Sequence, residues 1–415
     1  VFRYLFQLVI IIFLISSATC AEAERHFPSG TNQVLIPKTD GVRTEMLERI
    51  APLIQASIAA GHYPGAVVLV GHRGRVIYRG VFGNRRILPD VAPMRFDTLF
   101  DAASLTKVMA TTPAIMQLVE QNRIQLDTPV AQYWPAFANN NKESITVREL
   151  LTHTSGLPAE ITPHSRADAI VKIERLKPAH KPGTKFLYSD VNFIALGHLI
   201  EEITDEELDH YAHDHIFQPL GMRHTLFLPD VNSRDNIAPS ELLKDGLRWG
   251  EVHDPVTYVM DGVSGAAGLF TTASDLGTYA QSILDGGRIR NQDEYFLSPL
   301  TVLKMTTPQT PSEISEVRGF GWDIDSRFSN RGILLPTRSF GHSGWTGTSV
   351  WIDPATQTWI VILTSRAHPT PLPNNPLIKD RCAIANFVAA SLTDIKTVAE
   401  WNTSRAELAR AYSHA

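Results

Sequence analysis

From Gly65 the chain runs Gly-Ala-Val-Val-Leu-Val to Val70, turns at His72-Arg73-Gly74 and returns through Arg75-Val76-Ile77-Tyr78. Two β-rich runs around a glycine turn predict a hairpin. Upstream, Leu47, Ile50, Ile54 and Ile58 recur at helical spacing between Thr44 and Ala60, ahead of Gly61. Pro52 interrupts this pattern, so the helix either kinks there or starts near it, because proline has no N–H for an interior turn. After Asp97-Thr98-Leu99-Phe100 the chain enters a helix around Ser104, which continues beyond Pro113 as a second helical run to Val119.

Helical patterns and loops then dominate from Ile124 to about Tyr258. Within them Ile145–Pro158 reads as a helix closed by Gly156 and stopped by Pro158. Strand-like runs return from Gly262. Gly262, Gly265 and Gly268 read as points of close backbone approach, and Ser274 as the cap of a helix that runs to Leu284 and ends at Gly286-Gly287. Gly319–Trp322, Ser339–His342, Ser349–Asp353 and Thr358–Leu363 read as successive strands, the last two joined through Pro354-Ala355-Thr356. A helix from Pro376 to Leu392 closes the series.

This order predicts an α/β (α+β) fold in which both chain ends build an antiparallel sheet flanked by helices, with a mostly helical subdomain inserted. The boundaries read as residues 44–395 for the domain, with 44–110 plus 260–395 forming the α/β part and 111–259 the helical part. Residues 24–43 read as a surface leader and 396–415 as a loosely attached tail.

With 415 residues, 43% hydrophobic and 20% charged, the chain can bury a large core. Its net charge of −5 is spread without a basic stripe, so nucleic acid is not an expected partner. Residues 1–23 stand apart: Arg3 is their only basic residue, Leu8–Ile15 is wholly apolar, and Ala21-Glu22-Ala23 offers a cleavage site. They read as a secretory signal peptide, which implies a secreted or periplasmic protein that meets a membrane only through an uncleaved signal or anchor. Cleavage would remove Cys20 and leave one thiol, Cys382, in a helix-like run where it reads as a buried packing residue.

Several signatures are absent: no G-x-S-x-G, no H-E-x-x-H and no G-x-x-x-x-G-K-[ST]. His210, His213 and His215 form the best metal candidate but read as a solvated surface segment, so neither metal nor cofactor is expected. His153 reads as a capping or buried structural residue ahead of a catalytic one. What remains is Ser104 and Lys107, the only S-x-x-K of the chain. At i and i+3 on a helix an amine reaches a hydroxyl, and the pair becomes nucleophilic if burial depresses the lysine. A tyrosine on the turn around Pro182–Asn192, Tyr188, can pass a proton. The glycines of Gly341-His342-Ser343-Gly344-Trp345-Thr346-Gly347 would let a strand backbone approach substrate, with the Trp345 N–H joining that of Ser104 as an oxyanion hole.

Ser104-Leu105-Thr106-Lys107, Tyr188-Ser189-Asp190 and His342-Ser343-Gly344 resemble, in the same order, the three motifs of the serine β-lactamase and penicillin-binding protein superfamily. The segments around them resemble its class C-like branch, which includes esterases, D-aminopeptidases and DD-peptidases. The resemblance spans roughly Met46 to Leu392. It implies a Ser104 acyl-enzyme with Lys107 and Tyr188 sharing the proton traffic, either being the resting base, and with Asp190, His342, Gly344 and Trp345 facing substrate or its oxyanion. The implied substrate is a small ester, amide or D-peptide. A β-lactamase proper, or a catalytically silent cell-wall-binding relative, is the alternative. Two departures bear on substrate. His342 stands where the β-lactamases have Lys, which removes a permanent cation, and Asp190 replaces the usual Asn, an anion for an amide.

Overall fold

The computed structural model describes residues 32–395. The segments read as signal peptide and tail, Cys20 among them, lie outside the described residues. The main sheet uses β1 (Gln33–Leu35), β2 (Gly65–His72), β3 (Arg75–Arg86), β4 (Val317–Arg318), β5 (Asp323–Asp325), β6 (Phe340–Ser343), β7 (Ser349–Asp353) and β8 (Thr358–Thr364). They lie in the order β1-β3-β2-β8-β7-β6-β5-β4, and Ala92–Pro93 pairs onto β3 as a further short strand. Every pairing is antiparallel. β1 falls inside the stretch read as a leader. It adds to the outer edge of β3, which runs well past Tyr78.

All eight residues of β2 are buried, so both faces of the sheet are covered. Successive side chains alternate between two cores, as the two-residue strand period requires. Val67 and Leu69 face the larger core, shared with the helical region, while Ala66, Val68 and Val70 face the other. That second core lies under α1 (Thr44–Leu47), α2 (Ile50–Ala59) and α6 (Leu377–Ser391), with Leu47, Ile54, Ile384 and Val388 in it. Each such aliphatic side chain contributes ~1.5–3 kcal/mol on burial, which is why alternation fixes the strand register. The predicted first helix breaks at Glu48-Arg49, which puts Pro52 in the first turn of α2, where its missing N–H would have had no intrahelical partner.

Between the two strand groups lie short helices, α3 (Thr112–Glu120) and α4 (Asp190–Thr204) among them, and the short strands Leu226–Phe227, Leu242–Leu243 and Gly246–Leu247. α5 (Ala273–Leu284) then packs Gly277 against Trp359 and Leu69 of the sheet. Its cap is Thr272, whose side chain accepts from Asp275 N–H; Ser274 sits inside the first turn. Gly319–Trp322 is the turn between β4 and β5, with Gly321 at φ +72°, and not a strand of its own. Buried Phe320 and Trp322 gave it an apolar, strand-like composition. Cys382 is half-buried on α6, less enclosed than a packing residue. Among the described residues no helix is long and apolar enough to cross a membrane.

Candidate active site

Phe100–Asp101 pairs with Leu269–Thr271, and the chain then turns sharply into the Ser104 region. Ala103 carries φ +47°, a left-handed conformation that costs a non-glycine residue on the order of 1–3 kcal/mol. Its N–H donates to Asp101 Oδ1 at 2.8 Å, which holds the turn. Ala103–Leu105 is a 3₁₀ turn and Lys107–Thr111 a π turn before α3 begins, so the expected helix is present with altered pitch. Wider turns of this kind recur at functional sites, and this one precedes Pro113, which would clash with a carbonyl in a tighter helix.

Lys107 has no exposed surface. Its Nζ donates to Ser104 Oγ at 3.0 Å and to Ala266 O at 2.8 Å, and forms an ion pair with Asp190 Oδ1 at 2.6 Å. Two of the ammonium's N–H groups are thus donated to neutral oxygens, and Asp190 balances its charge as an ion pair. Burial alone would depress this lysine, as the sequence led us to expect. The Asp190 carboxylate and Tyr188 outweigh burial and hold the ammonium above its ordinary value. Asp190, the first residue of α4, thus turns one carboxylate oxygen to Lys107.

Tyr188 leads into α4, stacked on His153 with ring centroids 4.5 Å apart. His153 has φ +58°, and its Nδ1 accepts from Ser189 N–H at 3.1 Å, so its proton is on Nε2. Burial first, then Arg318 and Lys107, push this imidazole well below its usual range. It is a neutral prop under Tyr188, in keeping with a structural reading. His342 on β6 is likewise buried, and burial, Arg318 and Lys107 keep it neutral too. Gly344 is fitted closely: a Cβ there would lie 2.5 Å from Ala102 O and 3.1 Å from Ala103 Cβ. Thr346 and Thr348 complete the join by donating to Asp101 O at 2.8 Å and Ala102 O at 2.9 Å. The Trp345 N–H lies in the turn after β6 and donates to no carbonyl among the described residues.

Ser104, Tyr188, His342, Gly344 and Trp345 thus share one cleft. Its far wall carries Arg318, Arg366 and Arg381, which sequence reasoning missed. Arg318 is paired with Asp323 of the same cleft at 3.5 Å, so Arg366 and Arg381 are the cations that other elements bring to it. Arg381 is 3% exposed; its Nη2 donates to Thr348 O at 2.8 Å, whereas its Nε meets no acceptor. Burial, and then Arg366, push it down to about 9, which leaves it cationic at neutral pH. Trp351 Nε1 and Asn375 Oδ1 on the same wall are buried and unpaired as well. A signal for Arg381 did exist: it occupies the apolar stripe Leu377, Arg381, Ile384, Val388 of α6, where a charge has no place without a partner. The arginines are far apart in sequence, and only folding gathers them.

His210, His213 and His215 do not converge: His213 pairs with Asp214 and His215 with Glu206, and no metal-holding group of His, Cys, Asp or Glu occurs among the described residues.

Comparison with known proteins gives the family and the fold. The family model described as Beta-lactamase matches residues 50–383. A protein of Bacillus subtilis (strain 168) named N-acetylmuramyl-L-alanine amidase is 31% identical over 378 residues, 81% of this chain and 84% of that protein. An Escherichia coli (strain K12) protein with the provisional name D-alanyl-D-alanine carboxypeptidase is 28% identical over 394 residues, 85% of this chain and 89% of its own length. Among solved structures, EstCE1, described as a hydrolase with promiscuous acyltransferase activity, superimposes with a TM-score of 0.69 at 22% identity, covering 83% of this chain and 99% of its own. A penicillin-binding protein homologue from Caulobacter crescentus gives a TM-score of 0.68 at 19% identity, over 86% and 99%. At these identities the two structural likenesses are likenesses of fold.

Proposed function

The chain belongs to the beta-lactamase family and is a serine hydrolase of esterase or peptidase type, and from that premise we propose that it cleaves small acyl substrates whose leaving group bears a carboxylate, as a D-amino acid does. The observation that carries the substrate class is the buried, anion-free Arg381 beside Arg366 in the Ser104 cleft; neither takes part in an ion pair among the described residues. A buried guanidinium without a counter-ion is costly, and a carboxylate bound there would offset that cost.

In the proposed reaction Ser104 Oγ attacks the carbonyl carbon, and the leaving group departs with a proton. Water then attacks the acyl-enzyme and releases the acid. The Ser104 proton passes to the phenolic oxygen of Tyr188 as the Tyr188 proton moves on to the leaving group, and Lys107, ion-paired with Asp190, serves as the resident cation. The N–H groups of Ser104 and Trp345 hold the oxyanion. His342 packs neutral beside the reacting centre. The apolar stretch at Leu8–Ile15 supports export to the periplasm or medium, and N-terminal sequencing of the exported protein is expected to begin at Glu24.

The substrate proposal is tested with Arg381→Met. An N-acyl-D-alanyl-D-alanine should show a KM raised about 10–100-fold, the value of a lost charged hydrogen bond, while a neutral aryl ester turns over within about 3-fold of wild type. Equal losses on both substrates would count against a carboxylate site. A second test addresses Lys107. Asp190→Asn removes the anion that outweighs burial, so Lys107 loses its proton at lower pH. If the ammonium is the active form, the alkaline limb of kcat/KM moves down in pH. Movement of the acid limb instead would make neutral Lys107 the base.

A further inference from the structure

Asp101 is a buried carboxylate three residues before the serine, and the steps above do not use it. It is 5% exposed, and its two oxygens accept from two different segments: Oδ1 from Ala103 N–H at 2.8 Å and Oδ2 from His253 N–H at 2.7 Å. Its own carbonyl accepts from Thr346 Oγ1, in the turn that carries Trp345, at 2.8 Å. His253 closes the loop by stacking its ring on Trp345, with centroids 4.3 Å apart and planes 18° apart. Trp345 is also held by Arg366, whose guanidinium lies 4.6 Å from the ring centroid and donates to Trp345 O at 2.8 Å. Glu241 pairs with His253 at 2.7 Å. One residue thus touches the strained nucleophile turn, the 250s loop and the Trp345 turn.

We propose that Asp101 is a positioning residue that locks the Ser104 turn and the Trp345 turn into one unit, and so sets the spacing of the two oxyanion N–H groups. The inference rests on the assignment of Ser104 and Trp345 made above. Its physical basis is the left-handed Ala103. That conformation persists only if its surroundings impose it, and the Ala103 N–H bond to Asp101 is the direct restraint. A few tenths of an ångström between N–H donors and a developing oxyanion is costly in the transition state and nearly silent in substrate binding.

Two N–H donors need two acceptor oxygens, so the ionised form is the competent one. Burial raises this carboxyl to about 6, the His253 and Ala103 N–H groups and the His253 ring acting against it and Asp254 with it. The other charged groups of the surrounding stack are Glu241 and Arg366. Below about pH 6 Asp101 takes up a proton, one acceptor is lost and the lock loosens.

Asp101→Asn keeps the shape but turns an NH₂ toward one of the two N–H donors. With a neutral aryl ester the variant should lose about 10–100-fold in kcat with KM within about 3-fold, and the component of the acid limb near pH 6 should vanish. If that variant does not fold, Thr346→Val, which removes the Asp101 carbonyl anchor alone, should show the same split at about 3–10-fold. Wild-type kcat in either folded variant, a change in KM alone, or retention of the limb near pH 6 in Asp101→Asn overturns the proposal. These outcomes leave the Ser104 assignment standing, because that assignment fails only if Ser104→Ala retains covalent labelling.

Discussion

Ser104→Ala should lower hydrolysis of an activated ester by about 10⁴-fold or more and abolish labelling by a fluorophosphonate or penicillin probe. Removing the nucleophile leaves no atom on which the acyl group can reside, so the loss is in kcat and not in binding. The fold should survive. The deleted hydroxyl accepts one hydrogen bond from Lys107, worth about 0.5–1.5 kcal/mol net, and Ala266 and Asp190 continue to hold that ammonium. A melting curve close to wild type together with a silent active site is the expected pair of results. Stoichiometric labelling in the folded variant would place the nucleophile elsewhere and remove the basis of the proposed mechanism.

Tyr188→Phe should cost about 10²–10⁴-fold in kcat, the range for loss of a positioned general acid–base group. The ring is held independently of its hydroxyl, by stacking on His153 at 4.5 Å and by Phe328 at 5.5 Å, so the phenylalanine keeps the same place. Geometry is therefore preserved while the proton path is cut. Binding of a carboxylate-bearing substrate, which the proposed function assigns to Arg381 and Arg366, should remain within about 3-fold. If Tyr188→Phe keeps near-normal turnover, the Ser104 proton leaves by another route, and Lys107, with its three N–H groups, would have to be reconsidered as the base.

Both variants act on residues that the linear pattern made visible, and this is informative about how such sites are encoded. Ser104 and Lys107 are local partners, so i, i+3 spacing announces them, even though the segment is a 3₁₀ turn followed by a π turn and not a regular helix. Tyr188 and the His342–Trp345 run became meaningful only as a set in order. Asp190 was legible as a departure, an anion where an amide is usual, but its partner was not. Its 2.6 Å pairing with Lys107 depends on how α4 docks, and it reverses the expected depression of the lysine. The arginines of the cleft wall were hidden for the same reason. Arg318 comes from β4, Arg366 from just beyond β8 and Arg381 from α6.

The sequence by itself determined the central hairpin, the strand–helix–strand order, the closing helix and the Ser104–Lys107 pair. Each rests on interactions between residues near in the chain, or on a repeat set by helix and strand geometry. The tertiary structure alone decided the pairing of Lys107 with Asp190, the gathering of Arg318, Arg366 and Arg381 at one cleft, and the Asp101 bond that ties the nucleophile turn to the Trp345 turn. Those properties depend on burial and on distances of a few ångströms between distant segments, and neither quantity is written in local spacing.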